Sequence, residues 1–196
     1  MTRSASSTPS RPVGPAVFSA ARGAGGQGAF MHAPSNRRPY SARLEQWLRD
    51  NRFDVRDDAV NCARDNAMTP LMHAARLGDL EIARELLALG AELNARNIDG
   101  NNALWLACYG GNLDLIDLLL AAGIDADNVN DNGATCLMYA ASAGKAATVA
   151  RLLAAGANIE LATVDGFTAG DVAATIECLQ LLRKAKRERT AMAATA

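Results

Sequence analysis

The chain has 196 residues, 49% hydrophobic and 21% charged, a balance that fits one packed domain with room for a tail. Its net charge of −1 offers no global field for nucleic acid or an anionic membrane. No apolar run approaches the ~20 residues of a membrane span, and no basic-then-apolar start resembles a secretory leader.

Aromatics supply only 5% of the residues, so a core of alanine and leucine points to closely packed helices rather than a β sandwich. Four cysteines, Cys62, Cys108, Cys136 and Cys178, lie far apart with no C-x-x-C pair and only two histidines in the chain. A zinc site needs clustered ligands, so no metal is expected. Thiols scattered in this way pack as small hydrophobes in a reducing compartment, which makes the cytoplasm the expected location.

Residues 1–39 are rich in Ser, Ala, Gly, Pro and Arg and poor in large apolar residues, so they read as a disordered tail. Residues 1–44 carry six arginines and no carboxylate, a composition shared by organellar transit peptides. Two readings compete with a transit peptide: a plain disordered tail, or an overextended start with Met31 as the true beginning, which the 17-to-3 excess of arginine over lysine of a GC-rich coding sequence makes easy. Residues 40–64 hold one amphipathic segment, with Tyr40, Leu44, Trp47 and Leu48 at helical spacing.

From about residue 65 the chain repeats every 33 residues. Thr69, Asn102, Thr135 and Thr168 fall in step, and each side-chain oxygen suits a helix N-cap. Leu71, Leu104 and Leu137 follow, then Ala74, Ala107, Ala140 and Ala173. Gly78, Gly111 and Gly144 end a short helix, and leucine pairs 86–87, 119–120 and 152–153 mark a second one. Gly90, Gly123 and Gly156 supply its left-handed C′ position, and Gly100, Gly133 and Gly166 the turn before the next cap. Each unit reads as turn, short helix, tight turn, longer helix, glycine and loop. The fold class is therefore an all-α solenoid of helix-turn-helix units joined by β-turn loops.

This pattern resembles the ankyrin-repeat family, with its 33-residue period and T-P-L-H-x-A signature. Thr69-Pro70-Leu71 with Ala74-Ala75, Gly90-Ala91 with Asn94, and Gly156-Ala157 carry the match. The signature histidine position holds Met72, Trp105 and Met138, so its side-chain link to the neighbouring turn is expected to be absent. Pro70 gives way to Ala103 and Cys136. The expected domains are an N-terminal cap at 40–64, repeats at 65–97, 98–130 and 131–163, a C-terminal cap at 164–188 and a flexible end at 189–196. The cap segment around Leu44–Leu48 reads as the second helix of a degenerate first unit, since terminal repeats must meet water.

Nothing here reads as an enzyme. His73 has no nucleophile and orienting acid at a linking spacing. Asp99-Gly100, Asn132-Gly133 and Asp165-Gly166 are turn residues, without the alternating acids and closing glutamate of a calcium loop. Gly110-Gly111 follows a helix rather than a strand, so it is no phosphate loop. The basic run 183–189 suits the carbonyl end of a helix.

Helix geometry with Leu71 at the centre of the buried face turns His73, Arg76 and Leu77 outward. The corresponding outward sets are Leu106, Tyr109 and Gly110, then Tyr139, Ser142 and Ala143. The resemblance implies that these line the concave side, which such proteins use for binding. Asn66, Met68, Ile98, Asn101, Asn132, Ala134, Val164 and Phe167 would form the turn tips. The expected function is binding of an unidentified protein partner through groove and tips, without cofactor, small-molecule substrate, nucleic acid or membrane. The alternative is an accessory or regulatory subunit docking on an enzyme.

Overall fold

The structure, a computed structural model, describes residues 40–55 and 59–194. The tail reading of residues 1–39 lies outside the described residues, as do residues 195 and 196. The described residues form eight α-helices: α1 (Ala42–Asp50), α2 (Pro70–Leu77), α3 (Leu80–Ala88), α4 (Ala103–Gly110), α5 (Leu113–Ala121), α6 (Cys136–Ser142), α7 (Ala146–Ala154) and α8 (Ile176–Ala193). No strand forms among them, only two isolated β-bridges.

The caps act as their side chains dictate. Thr69, Asn102 and Thr135 each accept the amide three residues on, at 3.0–3.3 Å, and so open α2, α4 and α6. Asp79 and Asn112 do the same for α3 and α5. Ser41 opens α1, and the Glu85 carboxylate accepts from both its amide and its hydroxyl, which ties this first helix to α3.

Packing follows the period. α2 lies against α4 and α4 against α6, while α3, α5 and α7 form a second row behind them. Leu71, Ala74 and Ala75, Leu104, Ala107 and Cys108, and Leu137, Ala140 and Ala141 are all buried along the inner row. Alanine at these positions lets the helices approach closely. Gly110 marks the limit, because a Cβ there would sit 2.8 Å from the Arg76 carbonyl oxygen. It faces α2 rather than the open groove.

The final unit departs from the sequence reading. Thr168 does not cap a helix; its amide and hydroxyl both donate to Asp171, closing a turn. These bonds hold the exposed Asp171 carboxyl below its usual range. The reason lies two residues after Thr168, where Gly170 replaces the leucine that anchors the earlier units. It brings neither apolar area nor helix propensity. The helix starts instead at Thr175, whose hydroxyl caps α8. α8 then continues to Ala193, so the segment from 189 is helical rather than a flexible end, and Arg189 donates to the Ala157 carbonyl at 2.7 Å.

Ala67 stands where the later tips have Gly100 and Gly133, and it holds the same left-handed backbone at φ 54°. Ala67→Gly should therefore stabilise the fold, by about 1 kcal/mol. Gly123→Val should cost at least ~1 kcal/mol, because Gly123 has φ 84° with open space around its missing Cβ, leaving backbone strain as the only term. Denaturant melts of the two variants would move in opposite directions, and equal shifts would contradict the assigned register.

Candidate functional site

The inner row leaves an aromatic cluster outside its leucine–alanine stripe. Trp105 and Tyr109, one turn apart on α4, stack with ring centres 6.4 Å apart. Tyr139 of α6 joins them, 4.9 Å from Trp105 and 6.0 Å from Tyr109. Tyr109 is 57% exposed, while Trp105 and Tyr139 are half-buried. Lys145 fixes the cluster from below: Nζ donates to the Cys108 and Tyr109 carbonyls at 2.7 and 2.8 Å and sits 5.2 Å from the Tyr139 ring centre.

Beside the cluster lies a recess of about 320 Å³, where the turn tips meet the inner helices. The tips contribute Met68, Asp99 and Asn101, and the helices Arg76, Trp105 and Tyr109. Tip order comes from the backbone. Ile98 N–H donates to the Asn66 carbonyl, Asp131 to Asp99, and Val164 to Asn132, at 3.0–3.1 Å. Within one tip, Asn97 Oδ1 accepts from the amides of Asp99 and Asn101, the bonding of a side-chain-closed turn.

The structure places the sequence-derived site residues in two groups. Arg76, Tyr109, Ser142, Ile98, Asn132 and Phe167 are exposed, and Tyr139 and Met68 are half-buried. Val164, another tip residue, is 75% exposed, among the most open of the large apolar side chains of the described residues. His73, Leu106 and Asn101 are not exposed as expected: all three are buried, although Leu106 and Asn101 still belong to the lining of the recess. The inner helices touch a neighbour on each side as well as their own second helix, so the buried arc is wider than a single-faced wheel allows. Trp105, for which packing was the favoured reading, is half-buried and completes the aromatic cluster; its i, i+4 spacing to Tyr109 was the available signal.

His73 belongs to the N-terminal cap. Its ring contacts Trp47 and Phe53, with centres 5.7 and 5.8 Å away. Arg64 donates to Nδ1 at 3.1 Å, so Nε2 carries the proton and donates to Asn51 Oδ1 at 2.8 Å. Burial, then Arg64 and Arg76, pushes the imidazole pKa from 6.5 down to about 4.

The buried Cys136 thiol is pushed well above the usual range by its hydrogen bond with Cys108 and by burial, which suppresses the nucleophilic thiolate. Among the described residues no group of three or more His, Cys, Asp or Glu is placed to hold a metal, and no helix is long and apolar enough to cross a membrane.

The depressed His73 pKa has a signed consequence. Between about 4 and 6.5 the unfolded chain takes up a proton that the folded chain does not, so stability falls as pH drops through that window. The unfolding midpoint should fall between about pH 7 and about pH 5, and His73→Gln should flatten that fall. Thermal melts at a series of pH values would test it, and parallel profiles would remove His73 from the account.

Among known proteins, no curated sequence matches the chain. The family model for ankyrin repeats (3 copies) matches it twice, over residues 30–130 and 104–191. With capped helix pairs recurring in one 33-residue register and that model covering most of its length, the chain belongs to the ankyrin-repeat family.

Proposed function

We propose that this chain binds a protein partner along the inner-helix face and the row of turn tips. Ankyrin repeats are generally protein–protein interaction modules. What supports a partner on this particular face is the Trp105–Tyr109–Tyr139 cluster, which remains at the surface although the leucine–alanine stripe beneath it is closed. Rigid aromatic rings bury large area for little lost side-chain entropy, and they dominate measured interface energies. Arg76 adjoins the same recess, and Ile98, Val164 and Phe167 add exposed apolar area at the tips. Mechanism here is surface complementarity, with no bond made or broken.

Tyr109→Ala separates binding from folding. The ring is mostly exposed, so its loss should cost stability far less than Leu119→Ala, a fully buried truncation expected to cost about 2–5 kcal/mol. Affinity for the partner recovered by pull-down from the native cell should fall by roughly 2 kcal/mol or more. Calorimetry beside thermal melts would measure both. Full-strength binding by a well-folded Tyr109→Ala chain would place the partner on another surface.

A further inference from the structure

Two buried side-chain atoms among the described residues have no hydrogen-bond partner, Asn101 Oδ1 and Trp105 Nε1. Such atoms are rare in folded proteins, because each has given up water without replacement. Both side chains line the same recess of about 320 Å³. One atom is an acceptor and the other a donor. Arg76, exposed in the same recess, forms no hydrogen bond or ion pair with the described residues and adds further donors. Asp99 accepts one bond, from Asn97 Nδ2 at 3.1 Å, and keeps acceptor capacity on its carboxylate.

Resting on the groove reading above, we infer that this recess seats a carboxamide side chain, asparagine or glutamine, from a partner peptide. The carboxamide oxygen accepts from Trp105 Nε1–H and Arg76, and its NH₂ donates to Asn101 Oδ1 and Asp99. A carboxylate would serve the donors but leave Asn101 Oδ1 empty and set a like charge near Asp99. An ammonium group would do the reverse and oppose Arg76. A neutral group that both donates and accepts meets all four. Entry requires a movement, because neither orphan atom is open to solvent. Tyr109 is the exposed member of the Trp105–Tyr109 stack, so on this proposal it is the ring that turns aside to admit the peptide side chain.

The test begins with selection of random displayed dodecapeptides on the full-length chain. Asparagine or glutamine should be enriched at one fixed position. In a synthetic peptide of the selected sequence, changing that residue to glutamate or leucine should weaken binding roughly tenfold. Trp105→Phe, which keeps a ring and removes the N–H, should weaken it comparably. The chain has two tryptophans, so the indole N–H resonance lost in Trp105→Phe is readily assigned. That resonance should move downfield with the carboxamide peptide and stay put with its leucine version. Asn101→Leu should also lose peptide binding while its unfolding midpoint holds or rises, since it removes a buried orphan. Selected peptides that need Tyr109 yet carry acidic, basic or apolar residues at the fixed position, or bind Trp105→Phe unchanged, overturn the carboxamide assignment and leave the groove reading standing. Recovery of no peptide, or only of peptides indifferent to Tyr109→Ala, overturns both.

Discussion

The stack depends on a backbone hydrogen bond that recurs with the repeat. Ile98, Asp131 and Val164 each donate an amide to the carbonyl of the preceding tip, 32 residues earlier in every case. A second stitch runs in parallel: Asn61, Asn94 and Asp127, spaced by the period, accept the amides of Glu92, Asp125 and Asn158. These bonds tie one unit to the next rather than within itself, so they fix register along the array. Fixed register places equivalent helix positions side by side. That is how Tyr139 of α6 comes to meet two rings of α4, and how two tips and two helices come to share one recess.

The ends of such an array must close an apolar face that no further repeat covers, and this chain does so differently at each end. At the front, Trp47 and Phe53 lie against His73 with Arg64 over the Phe53 ring, and the imidazole bridges Arg64 to Asn51. A residue on the first inner helix is thereby spent on closing the end. At the back, the first helix of the last unit is reduced to a turn, and the amide of Ala174 reaches the Ala141 carbonyl of α6 at 3.0 Å. α8 then covers α7 with Cys178 and Leu182 and carries its charges outward, where Lys186 pairs with Glu160.

What the sequence made legible follows from this division. N-caps, left-handed glycines and the leucine–alanine stripe obey local rules that hold in any repeat, so the period and all helix pairs of the central units could be read directly. The surface could not be read the same way. A helical wheel knows one buried direction, whereas α2 and α4 are enclosed from several, which buries His73 and Leu106. Asn101 is buried by its neighbours in the tip row, a contact that no single repeat contains. Gly170 was visible as a departure at the leucine position, but its effect depended on whether tertiary burial would rescue a weak helix, and there was no apolar side chain to bury.

Lys145 ties the aromatic cluster to its repeat boundary. Its counterparts one and two repeats earlier, Asn112 and Asp79, cap their helices, yet Lys145 makes no side-chain cap for α7. Losing such a cap typically costs ~1 kcal/mol. The ammonium instead donates to two carbonyls in the last turn of α4, where the helix dipole favours a cation, and the aromatic face of Tyr139 lies beside it. These contacts offset the missing cap, but they do so across a repeat boundary and at the base of the rings. Lys145 thus links the last turn of α4, through the Cys108 and Tyr109 carbonyls, to the Tyr139 ring of α6. Under the proposed binding role, that link supplies the rigidity that keeps the rings from losing entropy when a partner arrives.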